Sequence, residues 1–306
     1  MGSRRASPQS SHEQPPWATG WSADRPLALD ANIVFARDAG WESGLRPYLR
    51  YRDLGLAQAS GGRLGAQRIR AREKLSSDWH HHVLDFQFFY VIAGSILIET
   101  ARERRELGPG DSACHPSGMW HREAVLSEDY EVIEITGPAV VETITEQQAP
   151  LPSDAENPVR RLRGVYAHER AQDYEPGVGA ERFIRLRDLG TSAPTGRRIL
   201  TQTIRPAGAP PRRSAGDDLL GAASSQWLTV LSGSVELALR DRSRRTLLSG
   251  DAIALGVDPA GRQRATRFSE DFAALRICIP AERRSPHGDD TPVFAGRPEE
   301  ASDGHD

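Results

Sequence analysis

Five of the nine histidines in this 306-residue chain fall between positions 80 and 121: His80, His81, His82, His115 and His121. On an extended strand successive side chains point to opposite faces, so His80 and His82 share one face and His81 takes the other. Imidazole is the commonest metal ligand near neutral pH because most of it is unprotonated there. The i, i+2 pair could therefore grip one ion. Two partly exposed polar strand residues would show the same spacing, so the pair alone leaves both readings open. His12, His168, His287 and His305 fall in terminal stretches or expected surface loops. Cys114 and Cys278 cannot build a disulfide scaffold, and Cys114 reads as an inert buried thiol.

Ligands of this kind need a rigid frame, and the chain writes that frame twice. Tyr48-Leu-Arg-Tyr-Arg-Asp-Leu-Gly55 returns 135 residues later as Phe183-Ile-Arg-Leu-Arg-Asp-Leu-Gly190. Val91-Ile-Ala-Gly-Ser95 returns as Val230-Leu-Ser-Gly-Ser234, Gly110-Asp111 as Gly250-Asp251, and Ser127-Glu-Asp129 as Ser269-Glu-Asp271. Four matches in order, with little drift in offset, mean two copies of one unit. Each copy is rich in short β-branched and aromatic runs separated by glycine turns, without an amphipathic helix of three turns, which predicts an all-β fold of two sandwich or barrel units. The run from Phe86 to Ile98, broken at Gly94-Ser95, predicts a hairpin. Ile96 and Ile98 align with Val235 and Leu237, and this shared alternation predicts that they face inward. The expected organisation is a first unit over 26–144, a linker over 145–165 and a second unit over 166–280. Disordered tails are expected over 1–25 and 281–306.

Composition narrows the partners. Lys+Arg 39 against Asp+Glu 42 gives a formal charge of -3, and Lys74 is the only lysine among scattered arginines. No basic face tracks a nucleic-acid backbone. No apolar run is long enough for a membrane span or a signal h-region, so a cytoplasmic location is expected and no membrane partner.

The spacing around the histidines is similar to that of the cupin superfamily, whose first motif runs H-x-H, four residues, E, six residues, G. Its second motif runs G, five residues, P-x-G-x-x-H. Here His80-His81-His82, Gln87 and Gly94 keep the first spacing, and Gly110 with Pro116-Ser117-Gly118-Met119-Trp120-His121 keeps the second. The resemblance spans both copies, about residues 40–280, and implies a bicupin of two tandem jelly-roll barrels. It also implies that His80, His82 and His121 are metal ligands. Gln87 stands where the motif has glutamate, so it is a weak ligand or a hydrogen bonder, with a catalytic or a purely structural role both open. In the second copy Leu219 and Gly221 stand opposite His80 and His82, Gln263 or Arg264 opposite His121, and Gln226 opposite Gln87. One ion per chain is therefore expected, with the second barrel serving packing and homodimerisation.

Three neutral imidazoles leave about three coordination positions open and keep the ion's full charge, which suits an anionic chelating substrate together with dioxygen. The resemblance is to three-histidine iron(II) dioxygenases of the gentisate or β-diketone-cleaving type. Zinc, nickel or manganese would suit a redox-silent isomerase, lyase or decarboxylase, and a non-catalytic small-ligand or metal binder needs only the pocket. Parity predicts a wall of Phe89, Val91, Ile96 and Ile98, with Met119 near the mouth. His115 is a candidate acid or base alongside Gln87. Proton competition at three imidazoles would weaken metal binding as pH falls through about 6.

Overall fold

The computed structural model describes residues 27–44, 46–153, 157–170, 173–177, 181–208, 224–257 and 263–280. Both expected tails, with His12, His287 and His305, lie outside the described residues, as do Leu219 and Gly221.

The strands open with β1 (Asn32–Val34), β2 (Glu42–Ser43), β3 (Leu49–Asp53), β4 (Gly65–Ala71), β5 (His80–Val83) and β6 (Phe86–Ala93). They continue with β7 (Ile96–Thr100), β8 (Arg104–Leu107), β9 (Ser112–Pro116), β10 (His121–Val125), β11 (Glu131–Gly137) and β12 (Glu142–Thr145). The second copy holds β13 (Val165–Ala167), β14 (Glu175–Pro176), β15 (Ile184–Asp188), β16 (Leu200–Pro206) and β17 (Ser224–Ser232). It ends with β18 (Ser234–Ala238), β19 (Arg244–Leu248), β20 (Ala252–Leu255), β21 (Arg264–Phe268) and β22 (Ala273–Pro280). The described helices are one short α1 (Leu56–Ser60) and a 3-10 turn at Pro158–Arg161.

The first barrel is a seven-stranded sheet, β13-β9-β6-β11-β4-β3-β2, closed over a five-stranded one, β12-β5-β10-β7-β8. The second pairs a seven-stranded sheet, β1-β20-β17-β22-β16-β15-β14, with β19-β18-β21. This is a jelly roll, twice. The expected hairpin over 86–98 is absent: β6 pairs with β9 and β11, whereas β7 pairs with β8 and β10 in the other sheet. Gly94-Ser95 is therefore a corner between two sheets and not a hairpin, because closing a roll sends consecutive strands to opposite layers.

The repeated strings turn out to be the pieces that fix corners. Gly94 has φ 66° and Gly233 has φ 64°. A side chain at either would strike the serine across the corner, Ser127 or Ser269, which instead accepts the next N–H, from Ser95 at 2.8 Å and from Ser234 at 2.7 Å. In the Arg-Asp-Leu-Gly strings, Asp53 accepts the Gly55 N–H at 3.0 Å and Asp188 that of Gly190 at 2.8 Å. These carboxylates hold the left-handed glycine turns.

The Gly-Asp strings do more. Each copy lends its opening strand to the other: β1 pairs with β20 and β13 with β9, in matching register. Asp251 then accepts the Ala36 N–H at 2.7 Å just beyond β1, and Asp111 accepts that of Glu169 at 2.8 Å just beyond β13. The exchange ties the barrels together at both edges.

Their interface is apolar. Phe86, Phe88 and Tyr90 leave β6 on the outer face and join Leu54, Trp227 and Ile277 in one buried cluster. The Trp227 indole N–H donates to the Leu54 carbonyl at 3.2 Å. Gln87, Phe89 and Val91 take the inner face, so β6 is buried on both sides from Phe86 to Val91. Ile96, Ile98, Val235 and Leu237 are buried as the alternation requires. Among the described residues no helix is long and apolar enough to cross a membrane.

Candidate metal centre

His80 opens β5 and faces His121, the first residue of β10, in register. His82 follows two residues on, beside Thr143 of β12. The loop leading to His121 is stitched to this strand: Gly118, at φ 72°, donates its N–H to the His82 carbonyl at 3.0 Å. Ring centroids are 4.4 Å apart for His80 and His121, 5.0 Å for His80 and His82, and 5.3 Å for His82 and His121. One nitrogen from each lies within 4.8 Å of the other two. His81 points away and packs on Trp120 at 4.7 Å.

The outer nitrogens decide what the inner ones can do. His80 Nδ1 lies 2.8 Å from the Asp78 carbonyl and His121 Nδ1 lies 2.8 Å from the Met119 carbonyl. A carbonyl only accepts, so both Nδ1 atoms carry the hydrogen and both Nε2 atoms present a lone pair. His82 Nδ1 lies 2.9 Å from Thr143 Oγ1, which can accept in the same way. The buried His121 Nε2 has no hydrogen-bond partner. An unpartnered buried lone pair among three converging imidazoles fits a metal ion. Burial pushes His80 down to about 4 and His82 down to about 2, aided in each by neighbouring imidazoles, so both are neutral at physiological pH.

The centre opens on a cavity of about 480 Å3, a size suited to a small molecule. Phe89 and Ile96 line it, as parity predicts. Val91 and Ile98 do not: they sit fully buried in the apolar cluster behind the wall. Alternation gives the face of the strand but not how far along the barrel the cavity extends. Met119 is buried outside the lining and serves through its carbonyl on His121. His115 is likewise behind the wall, its ring 4.9 Å from Phe89 and 5.0 Å from His121. Burial drives its imidazole well below the usual range, and its Nε2 lies 3.5 Å from the Tyr166 hydroxyl. It backs the His121 ring. Cys114 is buried on the outer face and burial pushes its thiol up to about 12.

The sequence reading placed no carboxylate at this site, and the structure places two. Glu123 Oε1 is 3.6 Å from His121 Nε2. Glu134 Oε1 accepts from Gln87 Nε2 at 2.8 Å, and both glutamates line the cavity. Burial lifts the Glu123 carboxyl, and the Arg46 guanidinium pulls it the other way. For Glu134 burial wins over the opposing pull of the Gln87 bond, and the charge on Glu123 adds to the rise. Glu123 sits two residues after His121, so the parity that paired His80 with His82 could have found it. Glu134 sits on β11 beyond both motifs. Arg46, Tyr48 and Tyr51 complete the polar wall from the start of the barrel.

The second barrel is different inside. Ile204, Leu228, Val235, Leu237, Ile253, Phe268 and Phe272 close on a residual void of about 10 Å3. Gln226 is buried at the place of Gln87, its amide 3.2 Å from Ser224 Oγ. Arg264 opens β21, with Gln263 just before it, where His121 opens β10.

Residues 69–135, which carry the histidine centre, match the family model for the cupin domain. Solved cupin-fold structures resemble the chain across both barrels. Oxalate decarboxylase from Lactobacillus farciminis superposes at TM-score 0.53 with 11% identity, covering 81% of this chain and 86% of the other. The 7S globulin of Momordica charantia gives TM-score 0.54 with 11% identity over 81% and 83%, and hazelnut (Corylus avellana) vicilin 0.52 with 12% identity over 81% and 85%. At such identity they share the fold alone. No curated protein sequence matches the chain. The family match and the fold support a place in the cupin superfamily with a bicupin architecture, and the three-histidine cluster marks a candidate metal centre in the first barrel.

Proposed function

We propose that the protein is a metal-dependent cupin enzyme acting on a small anionic chelating substrate. His80, His82 and His121 would hold one divalent ion, iron(II) in the favoured reading. The observation that carries this is the set of three Nδ1 atoms tied to acceptors, which aims three Nε2 lone pairs at one point beside the cavity. With iron(II) bound, the ion would supply activation of dioxygen and of the chelated substrate, which makes the reaction a dioxygenation. The chain's own residues bind and orient: Phe89 and Ile96 pack the apolar part of the substrate, while Gln87 fixes Glu134 and Arg46 faces the anionic part. The barrel excludes bulk water from the reacting atoms.

One observation favours a second reading. Glu134 has its carboxyl raised and faces the cavity, so it can carry a proton to or from substrate carbon or oxygen. Proton transfer of this kind suits a redox-silent isomerase, lyase or decarboxylase with zinc, nickel or manganese. Protein loaded anaerobically with iron(II), and in parallel with zinc or manganese, should be offered β-diketones and hydroxylated aromatic acids while oxygen uptake and product are followed. Oxygen consumption only with iron supports the dioxygenase. Turnover with zinc or manganese and no oxygen uptake selects the second reading, and chelate binding without turnover under any metal leaves a binding protein.

A further inference from the structure

We propose that Arg46 is the specificity residue of this centre, and that it selects chelators carrying a carboxylate at their metal-binding end. The inference rests on the metal-centre reading and narrows its substrate class. Arg46 lies between β2 and β3 and is the one Lys or Arg among the described residues lining the cavity. Its Nη2 is 3.1 Å from His80 Nε2. Because His80 Nδ1 holds its hydrogen toward the Asp78 carbonyl, Nε2 is the acceptor and the guanidinium donates into the lone pair a metal would need. A guanidinium and an ion cannot share that lone pair.

Once the lone pair goes to an ion, the Arg46 N–H has to find another acceptor. The group is held in the wall meanwhile, since its Nη1 donates to the Tyr48 hydroxyl at 2.8 Å. Glu123 is near enough to act on Arg46 through its charge but is not hydrogen-bonded to it. The acceptor that matches a planar fork beside a cation is a carboxylate, which can give one oxygen to each. The charges agree. Even with Glu123 and Glu134 both ionised, Arg46 and a divalent ion leave the interior one positive charge in excess. Glu42 and Asp53 also border the cavity but are exposed at its rim, where water screens them.

The test uses the full chain loaded with cobalt(II), whose visible spectrum reports changes in coordination. Salicylate and 2-hydroxyacetophenone form a matched pair: both chelate through a phenolate and a carbonyl oxygen, and only the first carries a carboxylate. Wild type should bind salicylate more tightly. Arg46→Gln should weaken salicylate on the order of tenfold to a hundredfold, as expected for a charged hydrogen bond, and leave the ketone unchanged. Arg46→Lys should recover only part of the loss. Metal affinity of the metal-free protein should stay the same or rise in Arg46→Gln, because a competing donor is gone. Wild type that does not prefer salicylate, or an equal loss for both chelators in Arg46→Gln, overturns the proposal. A fall in metal affinity in that variant overturns it too, by showing that Arg46 supports His80. Failure of wild type to bind cobalt at all would instead refute the metal-centre reading beneath it.

Discussion

Thr143→Val removes the side-chain hydrogen bond that fixes the His82 imidazole from behind. His80 and His121 are held by the backbone carbonyls of Asp78 and Met119, which no substitution deletes, whereas His82 depends on Thr143 Oγ1 at 2.9 Å. Valine keeps the shape and offers no acceptor. In the metal-free variant His82 can move its hydrogen to Nε2, but metal binding requires the Nδ1–H form, now buried without a partner. That cost is about 1–3 kcal/mol, or roughly 5- to 150-fold at about 1.4 kcal/mol per decade, and it agrees with the ~10- to 100-fold typical of such supporting bonds. Zinc competition against a chromophoric chelator at neutral pH reads it directly. Thr143→Val should weaken zinc by about tenfold or more, while Thr143→Ser, which keeps the hydroxyl, should restore most of it. A folded Thr143→Val protein within about twofold of wild type would refute the tautomer argument on which the centre rests.

His80→Ala, His82→Ala and His121→Ala should each abolish tight metal binding and keep a cooperative melt, since the barrel core is apolar, whereas His81→Ala, which loses only its contact with Trp120, should bind normally by the same titration. Because His80 and His82 are pushed down to about 4 and about 2, metal binding between pH 7 and 5 should release at most one proton per ion, not the three expected from free imidazoles, and a plot of log affinity against pH with slope near three would contradict this. The same two groups bind protons near ~6.5 when unfolded, so the unfolded state takes up more protons and stability of the metal-free protein should fall as pH drops below that value, measurable by urea unfolding. Gln87→Glu should set a second acid against Glu134 in place of a donor at 2.8 Å, lowering stability by about 1–3 kcal/mol at pH 8 and by less at pH 5, with Gln226→Glu as the comparison in a barrel that lacks the partner acid at this position. Trp227→Ala should cost about 3–5 kcal/mol in chemical denaturation, because the indole is fully buried where the two barrels meet.

The repeat was legible because its four strings do a local job: Asp53, Ser127, Asp111 and their counterparts each fix a glycine-marked corner through a side-chain oxygen. What those corners join was not legible. At Gly94 the glycine marked a change of direction, and only closure of the roll decides that β7 leaves for the other sheet. The exchange pairs β1 with β20 across more than two hundred residues and β13 with β9 across more than fifty, which no local pattern encodes. At the site, motif spacing located the three histidines because both motifs bracket rigid turns, with Gly118 bonded back to His82. Glu134, Arg46, Tyr48 and Tyr51 reach the cavity from strands and a loop outside the motifs, so their arrival depends on the tertiary path. Val91 and Ile98 show the converse, since they share a face with cavity residues and are still sealed behind it.

Elemental analysis of the purified chain after metal loading and removal of weakly held ions tests the central claim most directly. The account expects one divalent ion per chain in the wild type and none in His82→Ala. Two tightly held ions per wild-type chain, or one that persists in His82→Ala, would contradict it.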